Sequence, residues 1–127
     1  MEKKEKKQKA LEWGAFAEEQ ASQEYLRKGY TVLEKRWRMG KSEIDLIVQK
    51  DSVIVFVEVK ARKTNEEDAL NAVTVDKKKR MIRVADNFIR RQQGQYFYRF
   101  DIVTCVGDKD NFKLEIYEDC FLATDLF

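Results

Sequence analysis

Apolar residues recur at two different spacings along the chain, and the changes of spacing divide it into helices and strands. Helical spacing predicts one helix over 10–28, ended by Gly29, and a second helix over about 75–92, ended near Gly94. The stripes that define these helices are Trp13, Ala17, Gln20 or Ala21, and Tyr25 in the first, and Met81, Val84 or Ala85, and Phe88 in the second.

Between and after the helices, β-branched and aromatic residues alternate with polar ones, which predicts strands. The chain has no proline, so glycines and polar clusters must mark the turns. The polar segment 62–71 is interpreted as a loop. The resulting order is αβββαββ, an α/β fold in which helices flank a mixed sheet. The predicted strands cover 30–38, 43–49, 53–60, 96–106 and 112–118.

The second and third strands carry charges for which a core strand has no use. If the hairpin turns at 51–52, cross-strand partners have numbers that sum to 103, which places Asp45 opposite Glu58 and Glu43 opposite Lys60. On the face that carries these charges, the positions nearer the turn are mostly apolar. The opposite face then holds only apolar residues, namely Ile44, Leu46, Val48, Val55, Val57 and Val59.

Two carboxylates on opposite strands repel each other unless a cation lies between them. Carboxylate oxygens are the ligands that hard ions such as Mg²⁺ prefer, and Lys60 could orient a water molecule beside such an ion. The alternative is a solvated sheet edge, at which Glu43 pairs with Lys60 and Asp45 tolerates Glu58. The residues alone leave both interpretations open.

Composition narrows the chemistry that is available. The chain of 127 residues has no histidine, which excludes Ser-His and Cys-His nucleophiles and histidine-dependent metal nucleases. Cys105 and Cys120 are interpreted as buried free thiols. Catalysis by this chain would therefore have to use carboxylates, lysine and a metal ion.

The length predicts one domain over 10–127, preceded by a charged tail over 1–9. No apolar run approaches the length of a membrane span, and no apolar segment follows the charged N-terminus. We therefore expect no membrane association and a cytoplasmic location.

The net charge is only +2, but the positive charge is concentrated locally. Five basic residues open the second predicted helix, and two more follow the third strand. Any one of these residues is most simply interpreted as part of a solvent-exposed face. As a group, however, they could bind phosphates. The candidate nucleic-acid-binding residues are Lys77, Lys78, Lys79, Arg80 and Arg83, with Arg62 and Lys63.

The order of several segments adds a resemblance. "SEIDLI" is followed by "VFVEVKAR", with "GAFAEEQA" and "LRKGYTVLEKRWR" upstream and "AVTVDKKKRMIRVADNFI" and "RFDIV" downstream. Over about 13–103 the chain resembles the YraN-like bacterial family, a branch of the PD-(D/E)XK nuclease superfamily that is similar in its core to archaeal Holliday-junction resolvases. This resemblance implies a restriction-endonuclease-like fold.

The resemblance also implies roles for individual residues. Asp45 corresponds to the metal-binding aspartate, Glu58 to the second acidic ligand and Lys60 to the motif lysine. Glu18 corresponds to an acidic residue of the first helix that contacts the same metal. Between Glu18 and the adjacent Glu19, helical geometry favours Glu18 at the border of the helix–sheet contact and turns Glu19 outward. The implied cofactor is Mg²⁺ or Mn²⁺.

The expected function is that of a metal-dependent endonuclease acting on DNA, including branched or structured DNA, with DNA favoured over RNA. One alternative is a nuclease fold that binds nucleic acid without cutting it, and another is a protein-protein adaptor that uses the acidic C-terminal segment. Homodimerisation is open, since two-fold symmetry suits an enzyme that cuts two strands.

Overall fold

The computed structural model describes residues 2–121, in which helices pack on both faces of a five-stranded sheet. The strands lie in chain order, and every neighbouring pair is antiparallel except β3 and β4, which are parallel. No helix in this part of the chain has the length and apolar content needed to cross a membrane. The elements are α1 (Lys3–Arg27), β1 (Thr31–Met39), β2 (Ser42–Lys50), β3 (Val53–Arg62), α2 (Glu66–Asn71), α3 (Val75–Arg90), β4 (Phe97–Gly107) and β5 (Phe112–Tyr117).

Each face of the sheet packs against one long helix. Val55 and Val57 belong to an apolar layer formed with α1, whereas Ile54 and Phe56 belong to a layer formed with α3. Cys105 is a free thiol buried in the α1 layer, as expected. The free thiol Cys120, also expected to be buried, is only partly so. The α1 layer is built on Ala17, Ala21 and Tyr25, and the α3 layer on Met81, Val84, Ala85 and Phe88.

The helices differ from the prediction in two places. The first helix begins at Lys3 rather than near residue 10, because the lysine, glutamate and glutamine residues of the charged segment are good helix formers. The segment 62–71, interpreted as a loop, contains α2, so the order is αβββααββ and the predicted αβββαββ is wrong. Residues 122–127, which were counted in the predicted domain over 10–127, lie outside the described part of the chain.

The short helix α2 has its own start signal. The Asn65 side chain accepts a hydrogen bond of 2.8 Å from the Glu67 backbone N–H, and the first turn carries three acidic residues. Both features stabilise the amino end of a helix. Asn65 followed by Glu66, Glu67 and Asp68 was therefore a readable signal in the sequence.

The register of the β2–β3 hairpin is confirmed. The pairs run from Leu46 with Val57 to Lys50 with Val53, and the two numbers of each pair sum to 103. The face assignment is wrong for Ile44, which packs in the α3 layer and not with its predicted neighbours in the α1 layer.

A kink at Arg36 and Asp45 explains the position of Ile44. The β1–β2 ladder pairs Lys35 with Leu46 and Trp37 with Ile44, but it skips Arg36 and Asp45 between them. Arg36 has a φ of 51°, a left-handed conformation that a strand does not normally contain. Alternation therefore restarts beyond the kink, and the next residue of β2 turns to the other face.

A buried carboxylate ties α1 to the sheet. Asp101 in β4 is fully buried and accepts hydrogen bonds from the Tyr25 hydroxyl at 2.8 Å, from Arg99 Nε at 3.0 Å and from the Asp119 backbone N–H at 3.0 Å. Arg99 also donates to the Tyr30 hydroxyl at 2.8 Å. Both side chains therefore find their partners within the fold, and the network fixes β4 against α1.

Candidate active site

The two central carboxylates meet where strands β2 and β3 stop pairing. The ladder ends at Leu46 and Val57, one residue short of Asp45 and Glu58. Instead of a ladder bond, the Val59 backbone N–H donates to Asp45 Oδ2 at 2.8 Å. Glu58 is only 3% exposed, and its carboxyl group lies within hydrogen-bonding reach of Asp45. The structure therefore brings the predicted pair together.

Because the two carboxyl groups are buried side by side, ionising both of them is electrostatically unfavourable. Burial, followed by the hydrogen bond and the charge of Glu58, raises the pKa of Asp45 to about 8, against the lowering effects of the Val59 N–H and Lys77. The Asp45–Glu58 pair therefore retains a proton at neutral pH unless a cation takes its place.

Two lysines approach Glu58 from different elements. Lys77 Nζ, from the first turn of α3, lies 3.1 Å from Glu58 Oε2 and donates to the Glu43 carbonyl oxygen at 3.2 Å. Lys60 Nζ lies 3.9 Å from Glu58 Oε1. Glu58 Oε2 is buried and, apart from this ion pair with Lys77, has no well-directed hydrogen bond. Glu43, which the alternative of a solvated sheet edge pairs with Lys60, instead lies 3.6 Å from Arg38.

Glu18 and Glu19 are distinguished by their partners. Glu18 and Glu19 both line a cavity of about 140 Å³ together with Asp45, but Glu18 is half-buried and pairs with Arg36 at 2.8 Å. Burial raises its pKa, as do the charges of Asp45 and Glu43, while Arg36 lowers it. Glu19 is exposed and pairs with Lys35 at 3.3 Å. Glu18 is therefore the residue on the side of the carboxylate pair.

The full set of metal ligands implied by the resemblance is not assembled. Among residues 2–121, no group of three or more histidine, cysteine, aspartate or glutamate side chains is arranged to hold a metal ion. Glu18, engaged by Arg36, stands next to the Asp45–Glu58 pair without completing it. Of the three ligands that the resemblance implies, the structure brings Asp45 and Glu58 together.

The predicted phosphate-binding residues fall into two groups. Lys77 is turned into the site, and Lys78 lies with its ammonium 5.6 Å from the centre of the Phe121 ring. Lys79 and Arg83 make electrostatic or bonded contacts within the chain. The exposed members of the candidate set are Arg62, Lys63, Arg80 and Arg83, and the partly buried ones are Lys77, Lys78 and Lys79.

The site lies within a segment that a family model matches. The model, described as "Uncharacterised protein family UPF0102", matches residues 17–105. The chain belongs to this family. Proteins named "UPF0102 protein" are 40% identical over 91% of the chain and 92% of their own length in Chloroherpeton thalassium, and 36% identical over 87% and 92% in Phocaeicola vulgatus. A UPF0102 protein of Caldicellulosiruptor saccharolyticus is 35% identical over 83% and 91%.

Two contacts of the UPF0102 site were not predicted. Lys77 was predicted to bind phosphate and not to contact Glu58, although it lies one helical turn before Met81 on the buried stripe of α3 and should point toward the sheet. Arg36 had no signal in the sequence, since neither its contact with Glu18 nor its left-handed backbone follows from the alternation of β1.

We expect the Asp45–Glu58 pair to make stability depend on pH. The pKa of Asp45 rises from 3.8 to about 8 on folding, so between these values the folded protein binds more protons than the unfolded chain. Stability therefore falls as the pH rises through this window. Asp45→Asn removes the effect, so its advantage over the native protein should grow from pH 5 to pH 8.

The measurement is urea unfolding in EDTA at several pH values, with Asp51→Asn as the matched control. Asp51 is an exposed turn residue, so its substitution should shift stability by a similar amount at every pH. A stability difference between native protein and Asp45→Asn that does not change with pH would contradict the raised pKa.

Proposed function

We propose that this UPF0102 protein is a metal-dependent phosphodiesterase that cuts DNA, with a restriction-endonuclease-like fold of the PD-(D/E)XK nuclease superfamily. The observation that carries the proposal is the pairing of Asp45 with Glu58 at the point where β2 and β3 separate, with Lys60 two residues further along β3. A mixed α/β sheet with helices on both faces is consistent with such a fold.

The residues of the pair fit a hard divalent cation. The two adjacent carboxyl groups retain a proton at neutral pH, which a divalent cation could replace. One oxygen of Glu58 is buried with the Lys77 ammonium 3.1 Å away but no well-directed hydrogen bond, and carboxylates are the preferred ligands of Mg²⁺ and Mn²⁺. Asp45 and Glu58 would hold the ion, and Glu18 would join them if Arg36 released it. A bound ion would activate a water molecule and stabilise negative charge on the phosphate.

The protein's own side chains would prepare the site. The Val59 N–H fixes the orientation of Asp45, and Lys77 fixes Glu58 from the start of α3. Lys60 is only partly exposed and its ammonium group is near Glu58, so it would donate a hydrogen bond to the attacking water or to a phosphate oxygen. Preorganised donors of this kind accelerate phosphoryl transfer because they stabilise developing charge.

The proposal is tested with purified protein on a panel of branched, nicked, single-stranded and linear duplex DNAs at low salt. We expect cleavage with Mg²⁺ or Mn²⁺ and none with EDTA. Absence of metal-dependent cleavage on every substrate would contradict the proposal and leave a nucleic-acid-binding module as the alternative.

Lys60→Met extends the test to the role of the lysine. This change should reduce cleavage by about 100-fold or more, because loss of one preorganised hydrogen-bond donor typically costs that much. Calorimetric Mn²⁺ binding should persist, since an ammonium group is not a ligand. Lys50→Met is the control, as its exposed ammonium contacts only the Lys28 carbonyl oxygen and the Tyr30 ring. Cleavage by Lys60→Met at the native rate would remove Lys60 from the mechanism.

A further inference from the structure

A basic groove begins at Lys60 and runs along the amino-terminal half of α1. Its first part is a cavity of about 380 Å³ between α1 and the end of β3. Four cationic side chains and no acidic one line this cavity, together with an indole ring. The residues that define the groove are Lys9, Trp13, Gly14, Lys60, Arg62 and Lys63.

The groove continues beyond Trp13. A second cavity of about 570 Å³ shares Lys9, Trp13 and Lys63 with the first and extends to the turn between β4 and β5. This second part is of mixed charge, because it is also lined by Lys109 and by the carboxylates Glu12, Asp108 and Asp110. The positive charge is thus concentrated next to the candidate active site.

We propose that the basic groove binds the single-stranded segment of nucleic acid that leads to or from the cut phosphate. The inference rests on the proposed function for its choice of ligand. Four cations without a carboxylate suit consecutive phosphates, and an aromatic ring beside them suits an unpaired base, which is the general pattern of single-strand binding. Bases in a duplex present only their edges and cannot stack on a side chain.

The local structure supports a groove that is held in shape. Trp13 packs against Phe16 with ring centroids 5.5 Å apart and against Phe112 at 6.3 Å, so α1, β5 and the indole form one unit. Gly14 leaves open space, because a Cβ added there would meet no atom within 4 Å. A single nucleic-acid strand could therefore approach the backbone of α1 closely at Gly14.

The competing surface is the amino end of α3. Lys77 contacts Glu58, Lys78 lies over Phe121, and Lys79 makes contacts within the chain, and all three are partly buried. Of the five basic residues at this end of α3, Arg80 and Arg83 are the two that are exposed. Lys9, Arg62 and Lys63 are all exposed. The groove therefore offers more accessible charge per residue than α3 does.

The test measures binding of fluorescent oligodeoxythymidylate in EDTA, where no cleavage occurs, over a range of salt concentrations. Lys9→Gln with Lys63→Gln should raise Kd about tenfold at moderate salt and lower the slope of log Kd against log salt by about 1.4, the value for two lost single-strand phosphate contacts. Lys7→Gln with Lys28→Gln removes the same charge from exposed positions outside the groove and should have little effect.

A second variant fills the groove without changing its charge. Gly14→Leu should favour the helix, so folding is retained, while its side chain occupies the open space and weakens binding. Lys78→Gln with Arg80→Gln tests the competing surface. Weaker binding in this pair, with native binding in the groove variants, would overturn the proposal.

Two further titrations define the ligand. A duplex of equal length should bind more weakly than the single strand, and equal binding that is equally sensitive to Gly14→Leu would overturn the single-strand assignment. Oligouridylate shows whether the strand is DNA or RNA, since the groove chemistry suits either. Groove binding without cleavage would refute the proposed function alone, and cleavage with unaffected groove variants would refute this inference alone.

Discussion

Replacing Asp45 with asparagine is expected to reduce metal-dependent DNA cleavage more than about 100-fold, beyond the loss typical of changes to residues that only support a metal ligand. The amide is close in shape to the carboxyl group and can still accept from the Val59 N–H, so the fold should survive. The neutral amide lacks the negative charge of a metal-binding carboxylate, and it also avoids the repulsion that an ionised Asp45 has with Glu58. The measurement is the single-turnover cleavage rate in Mn²⁺, with circular dichroism as a check on folding.

Glu19→Gln is the matched control for this experiment. Glu19 is an exposed glutamate next to Glu18, and its partner is Lys35 on the surface. Its substitution should leave the cleavage rate within about twofold, as expected of a surface change. Undiminished cleavage by Asp45→Asn would indicate a contaminating nuclease or another site, and the mechanism would be abandoned while the fold description stands.

The largest loss of stability is expected from Asp101→Ala. This substitution removes the acceptor shared by Tyr25, Arg99 and the Asp119 backbone, and it leaves the mostly buried Arg99 without its main counter-charge. Breaking a buried ion pair in this way costs about 3 to 5 kcal/mol. Thermal unfolding should show the midpoint lowered by roughly 10 °C or more.

Two further substitutions test whether the loss of stability comes from the network around Asp101. Tyr25→Phe removes one hydrogen bond of the network and should cost about 1 kcal/mol. Asp86→Ala removes an exposed carboxylate paired with Arg90 and should cost less than about 1 kcal/mol. If Asp101→Ala lowered the stability no more than Asp86→Ala does, the hydrogen-bond network around Asp101 would not be what holds α1 on the sheet.

Much of the sheet could be predicted because its signals are local. Alternation identified all five strands, and the short turn at 51–52 fixed the hairpin register by simple counting. The glycine after α1 has a φ of 91°, which explains why Gly29 ends that helix. By contrast, α2 was missed because six residues give too short a window for helical periodicity, although its capping residue was visible.

The candidate site was predicted in part. Period-two alternation and register placed Asp45 beside Glu58, but they could not show that the ladder stops one residue earlier. The kink at Arg36 depends on a backbone conformation that arginine rarely adopts, so no propensity points to it. It is this kink that separates Ile44 from the α1 layer and gives Glu18 a cationic partner.

The same irregular strand has a consequence for self-association. β1 is an edge of the sheet, and an edge with unpaired backbone groups invites another chain to add a strand. In β1 a register shift near Leu33, the left-handed Arg36 and the exposed cations Lys35 and Arg38 all interrupt a flat, apolar edge. Strand addition by a second copy of the chain is therefore disfavoured at this edge of the sheet.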